Sequence, residues 1–292
     1  MSWLHLETRH GQRQPEILEQ LLEELGAVAV WLSDAGDEPI LEPAPGHTPL
    51  WSSTIVNALF PAEVSASELA AALEDAVDGR ELTFATLEDR DWLAEWQQNL
   101  RPLAFGNRLH VLPPGTAAAA GVSVWLAPGM GFGTGEHPTT AMCLEWLTEQ
   151  ELTHTEVLDY GCGSGLLAIA ALKLGAARAS AVDIDPQALA ATRENAIVND
   201  CMERLSVNSP EEICHVGAYD LLVANILSRT LIELGPVLGL HMRPGARLAL
   251  SGILVGQARS VQEAWSGWAE LEIDRQVDDW VLLTGYKHGL LA

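Results

Sequence analysis

The sequence predicts an α/β protein in two parts, a small α+β unit of ferredoxin-like order followed by a doubly wound sheet of seven strands. Three observations predict it. Residues 1–88 carry six short segments in the order β-α-β-β-α-β. From Thr155 onward the chain adopts a longer β-α-β-α rhythm. Between Val157 and Leu172 an apolar strand ends in a glycine-rich turn that runs directly into a helix.

In the first part, Trp3–Thr8, Ala27–Leu32, Ser53–Phe60 and Glu81–Leu87 read as extended, and Pro15–Leu25 and Ser67–Val77 as helical. Gly26, Gly36, Pro61 and Gly79 fall where those elements should end. Asp91–Leu100 reads as a short helix, with Trp92 and Trp96 on one face at a spacing of four. That face is read first as core packing, and second as a docking surface for a substrate loop. A stretch rich in Pro, Gly and Ala follows, so 1–88, 89–119 and 120–292 are expected to be a domain, a linker and a second domain. In the last of these, Val157–Tyr160, Ala179–Ile184, Arg204–Val207, Leu221–Ala224, Ala246–Ser251, Leu271–Gln276 and Trp280–Tyr286 are the strand candidates. Helices are expected at Leu166–Leu174, Pro186–Asn199, Thr230–His241 and Val255–Gly267.

Composition narrows the function. With 292 residues, 48% of them apolar, the chain can fill real cores. Its start is polar at every second position, unlike a secretory signal, and no stretch reaches the roughly 20 apolar residues of a membrane helix. A soluble, cytoplasmic protein is expected. Four cysteines without a C-x-x-C pair and nine histidines without ligand spacing support neither a disulfide framework nor a metal. The net charge of −24 disfavours nucleic acid as a partner. Residues 1–100 hold 19 Asp and Glu against 4 Arg and no Lys. This excess reads either as a solubility or salt adaptation, or as a surface that attracts a basic protein.

The chemistry concentrates in Val157–Leu172, VLDYGCGSGLLAIAAL, where Gly161, Gly163 and Gly165 let the turn bend and let a ligand approach bare backbone. About twenty residues on, Val182-Asp183-Ile184-Asp185-Pro186 places Asp183 at the carboxyl edge of the next strand, where a carboxylate accepts both ribose hydroxyls of a nucleoside. Nicotinamide dehydrogenases use the same logic, but they favour G-x-G-x-x-G to hold a pyrophosphate, and here position 166 is leucine. The pair D-x-G-C-G-S-G and V-D-I-D-P resembles the class I methyltransferase pattern, whose Rossmann-like fold this sequence is then expected to adopt.

Two further segments, LAPGMGFGTGEHPTT (Leu126–Thr140) and DLLVANIL (Asp220–Leu227), with SGIL (Ser251–Leu254), resemble the signatures of the family that methylates ribosomal protein L-eleven (L11). The resemblance covers essentially the whole chain. It implies a ferredoxin-like recognition domain, a linker helix and a catalytic domain. It also implies S-adenosyl-L-methionine as methyl donor and L11 as partner, modified on its N-terminal α-amine and lysine ε-amines; a monomer is expected. Related mitochondrial enzymes, which modify the electron-transfer flavoprotein β-subunit, make another protein substrate the nearest alternative.

Carried over by residue, the resemblance places cofactor contacts at Thr140, Gly161, Asp183 and Asn225, to which the reading of the glycine turn adds Gly163. Phe132, on the glycine-rich loop, is divided between covering the cofactor and simple packing. Asn225 is the expected catalytic residue. It ends the fourth strand where amine methyltransferases with an N-P-P-Y motif place their acceptor, although here it is followed by Ile226-Leu227. No motif fixes a general base. Glu136 and His137 are candidates by position alone, and His137 is read first as a structural loop residue.

Overall fold

The computed structural model describes residues 2–10, 15–36, 50–74, 76–77, 82–88, 101–126, 135–213 and 216–289. The expected linker helix with Trp92 and Trp96 lies outside them, as do Phe132 and Cys214. The chain divides into two compact units, Met1–Glu95 and Trp96–Ala292.

The first unit contains β1 (Ser2–His10), α1 (Pro15–Glu24), β2 (Ala29–Asp34), β3 (Thr54–Pro61), α2 (Ala66–Leu73) and β4 (Leu82–Glu88). Its strands lie in the order β2-β3-β1-β4, every pair antiparallel. The period-2 pattern decides which face is covered. Leu6, Val56, Ala58 and Phe60 point to one side and are fully buried with Leu22 and Leu73 of the helices. Ser65 caps α2 by accepting from the Glu68 amide at 3.4 Å. On the other face, His5 stacks on Trp31 at 5.4 Å and bonds to the Asn57 side chain at 3.0 Å.

The second unit opens with a small sheet, β5 (Leu103–Phe105) and β6 (Leu109–Leu112) in the stretch read from sequence as linker and Pro/Gly/Ala-rich connection, and β7 (Val122–Trp125) just beyond it. These strands of three and four residues are too short to show periodicity. Tertiary contacts hold them: the Trp125 backbone amide donates to Asn199 Oδ1 at 2.8 Å, and Asn199 Nδ2 donates to the Trp125 carbonyl at 2.6 Å.

Then follow α3 (Pro138–Glu149), β8 (Glu156–Tyr160), α4 (Leu166–Leu174), β9 (Arg178–Val182), α5 (Pro186–Val198), β10 (Leu205–Asn208), β11 (Tyr219–Asn225), α6 (Ser228–His241), β12 (Met242–Leu254), α7 (Ala258–Trp265), β13 (Ala269–Val277) and β14 (Trp280–Lys287). They build one seven-stranded sheet in the order β10-β9-β8-β11-β12-β14-β13. Only β14 runs antiparallel to its neighbours. Both faces are covered, so the central strands are apolar runs rather than alternations. Leu221 and Val223 belong to the cluster containing Leu144, Leu147 and Ile169 of α3 and α4. Leu222 packs with Leu231, Leu238, Val261 and Trp265 of α6 and α7. Among the described residues, no helix is long and apolar enough to cross a membrane, and no cluster of His, Cys, Asp and Glu is placed to hold a metal ion.

Candidate active site

The strand order reverses between β8 and β11, since the chain winds outward from β8 through β9 to β10 and returns to β11. Ligands of doubly wound sheets bind in the crevice at the carboxyl ends of the strands at such a switch point. Gly161, Gly163, Asp183 and Asn225 lie there.

The turn after β8 is tied to its neighbour strand by backbone. The Gly161 and Cys162 amides both donate to the Val182 carbonyl, at 2.7 and 3.0 Å. Gly161, Gly163 and Gly165 all have positive φ, the region where a side chain is strained. Helix α5 holds the turn from behind: the Thr192 hydroxyl donates to the Gly163 carbonyl at 3.0 Å, and Asn195 Nδ2 to that of Ser164 at 2.8 Å.

Asp183, half-buried just past β9, joins this turn to the next loop. Its Oδ2 accepts the Gly163 amide at 2.9 Å and its Oδ1 the Asp185 amide at 3.0 Å. Each oxygen keeps acceptor capacity beyond that one bond. Asp185 caps α5 through the Gln187 amide at 2.8 Å, with Pro186 at the first helical position.

Asn225 ends β11, paired in register with Ser251 of β12. Its Nδ2 donates to Thr140 Oγ1 at 3.0 Å. Thr140 is buried in the first turn of α3. His137 caps that helix. Its Nδ1 accepts the Thr139 amide at 3.4 Å and lies 2.7 Å from the Thr139 hydroxyl, while its ring meets Trp280 edge-on at 5.2 Å. The helix cap thus engages one of its two ring nitrogens. Glu136 is exposed beside it.

Two residues of this region lie inside the quoted motifs but were given no role of their own from sequence. Asp159, on β8 two positions before the turn, is fully buried. Its Oδ2 accepts the Ala168 amide at 2.9 Å, and its Oδ1 has no partner among the described residues. Burial first, then the charge of Asp183, pushes its carboxyl up to about 7. The signal was present, since an acid interrupts the otherwise apolar VLDY run. Ile184 is 83% exposed beside the Asp183 carboxylate, an unusual place for an isoleucine flanked by two aspartates. The thiols of Cys143 and Cys162 are buried and free, and burial raises both, Cys143 to about 12, so neither is a nucleophile.

Residues 2–288 match the family described as ribosomal protein L11 methyltransferase (PrmA). The chain belongs to this family. It is 45% identical to the ribosomal protein L11 methyltransferase of Hahella chejuensis over 98% of this chain and 99% of that one. It is equally similar, at 45%, to that of Nitrosococcus oceani, over 98% and 100% of the two chains. Among solved structures, a ribosomal protein L11 methylase from Lactobacillus delbrueckii subsp. bulgaricus superposes with a TM-score of 0.58 at 26% identity. That likeness covers 65% of this chain and 98% of that one. The seven-stranded sheet is accordingly that of a class I, S-adenosylmethionine-dependent methyltransferase.

Proposed function

We propose that the chain transfers methyl groups from S-adenosyl-L-methionine to the N-terminal α-amine and lysine ε-amines of ribosomal protein L11, the protein for which its relatives are named. The observation that carries this reading is the Asn225 side chain, fixed by Thr140 at the end of β11 across the switch point from the glycine turn.

The residues fit the cofactor. The Asp183 carboxylate has acceptor capacity for two vicinal ribose hydroxyls, the positive-φ turn offers backbone free of side chains, and Ile184 presents an exposed apolar face for the adenine. Gly161 and Gly163 face the methionine end in this reading, and Phe132 remains a proposed cover. When bound, the cofactor supplies a methyl activated on a sulfonium.

Asn225 orients the acceptor. With Nδ2 donating to Thr140, its Oδ1 is the atom left to accept an amine N–H and aim the lone pair along the line of displacement. The C–N bond forms as the S–C bond breaks, and the amine must have shed its proton beforehand. Reference pKa values of about 7.7–8.0 for an α-amine and about 10.4 for lysine make the N-terminus the easier acceptor.

Residues 1–88 are proposed to recognise the substrate, and their acidic excess suits a basic ribosomal protein. A monomer working in the cytoplasm, where ribosomal protein is available, completes the reading. Mass spectrometry of purified L11 incubated with the enzyme and S-adenosylmethionine tests it. Methyl additions at the N-terminus and at lysines are expected, and an unchanged mass overturns it.

A further inference from the structure

We propose that Ile226 is a positioning residue, wedged between Gly161 and Gly252 so that its Cγ2 methyl sets where Asn225 stands relative to the glycine turn. The proposal rests on the reading above, in which Asn225 aims the acceptor amine.

β11 lies between β8 and β12; Gly161 directly follows β8, and Gly252 lies within β12 where its register to β14 shifts, both with φ of +79°. Both glycines are filled by the same residue. A Cβ on Gly161 would overlap the Ile226 Cγ2 methyl. A Cβ on Gly252 would lie 2.5 Å from the Ile226 carbonyl oxygen and 2.8 Å from its carbon. The side chain of Ile226 thus occupies the space that glycine leaves after β8, and its backbone the space that glycine leaves at the irregularity in β12. Its amide also donates to the Ser251 carbonyl at 3.2 Å.

This makes Ile226 a spacer of defined length. A β-branched side chain has few χ1 choices, so its Cγ2 is carried almost rigidly by the backbone that also carries Asn225. The glycine turn does not depend on it, being held by the Val182 carbonyl, Thr192 and Asn195. The end of β11 bearing Asn225 is bound to Thr140 and paired with Ser251, and toward the turn it is spaced by Ile226. Removing the methyl frees that strand end to move toward Gly161 while the cofactor side stays in place.

The consequence is a split between turnover and cofactor affinity. Misplacement of a reacting group by about 1 Å costs on the order of a hundredfold in rate. Ile226→Ala is therefore expected to lower kcat on L11 by about ten- to a hundredfold at saturating S-adenosylmethionine, with a smaller loss of affinity for S-adenosylhomocysteine, since Asn225 is itself an expected cofactor contact.

Two conservative variants separate this from packing. Valine keeps Cγ2 but loses a methylene, whereas leucine keeps the volume and loses the β-branch. Ile226→Val is expected to retain most of the turnover and Ile226→Leu to fall near the alanine variant. A packing role would make leucine the equal of valine or better, since volume-conserving swaps are tolerated best. Gly252→Ala, which pushes the same strand end from the other side, should show the same split.

The experiment is single-turnover methylation of L11, with calorimetric titration of S-adenosylhomocysteine, for the wild type and the Ile226 series. Valine far above leucine and alanine, with cofactor affinity falling less than turnover, supports the wedge. A full-rate Ile226→Ala beside an active wild type, leucine ranking with valine, or a loss confined to cofactor affinity overturns it. An inactive wild type overturns this proposal together with the reading on which it rests.

Discussion

The Asn225 side-chain amide donates to the Thr140 hydroxyl at 3.0 Å, bonding the end of β11 to the first turn of α3 across 85 residues of sequence. With Nδ2 so engaged, the carbonyl oxygen is the acceptor atom of the Asn225 side chain. The resemblance placed both residues among the cofactor contacts, and the structure adds that one orients the other.

Thr140→Val removes that hydroxyl while keeping the shape of the side chain. Part-buried Asn225 Nδ2 then lacks its partner, which costs about 1–3 kcal/mol and lets the amide turn. We expect kcat on L11 to fall by about tenfold or more, and Thr140→Ser, which restores the hydroxyl, to recover most of it. Steady-state kinetics at saturating cofactor check this, and a valine variant as fast as the wild type would remove Thr140 from the positioning of Asn225.

Asp183→Ala is expected to weaken S-adenosylhomocysteine by at least about tenfold, because charge-assisted hydrogen bonds contribute about 1.5–3 kcal/mol each. The variant also deprives the Gly163 and Asp185 amides of their acceptor, so the loop after β9 should loosen as well. Calorimetric titration gives the affinity and circular dichroism the fold. An unchanged Kd in a folded variant would take Asp183 out of the site.

Asp159 gives a pH dependence whose sign is fixed. Folding raises its carboxyl from 3.8 to about 7, so the fold favours the protonated form. The stability contributed by this group is fully present below the ordinary carboxylate range and is lost as pH rises through about 7. Asp159→Asn keeps the shape and cannot ionise, and its carbonyl can still accept the Ala168 amide. The difference in thermal stability between variant and wild type should therefore grow in favour of the variant from about pH 5 to about pH 8. A difference independent of pH would show that Asp159 does not titrate in that window.

The catalytic sheet was legible because its strands are apolar runs closed by Gly, Asp or Pro. Helix α4, bounded by Gly165 and Gly175, begins and ends where it was expected. Elements such as β5 to β7 were not, since strands of three or four residues among Gly106, Pro113, Pro114 and Gly115 have no period and depend on a distant Asn199. Within the site, the spacing of Gly161, Gly163 and Asp183 is a local pattern, and the Gly163 amide bonded to Asp183 is its structural counterpart. Contacts made between strands were illegible. Nothing in the sequence announces that Ile226 fills the space at both Gly161 and Gly252. His137 caps α3 although histidine is not among the preferred capping residues, so its position alone left it open as a base.

The role of Asn225 is decided by single-turnover methylation of ribosomal protein L11 by the wild type and Asn225→Ala at saturating S-adenosylmethionine. Saturation removes any loss of cofactor affinity from the comparison, and the substitution leaves the glycine turn untouched. Orienting a near-attack amine contributes far more to rate than to ground-state binding. The wild type should therefore methylate L11, and the variant should do so at least about a hundredfold more slowly with a smaller change in affinity for the protein substrate. Equal rates would contradict the account.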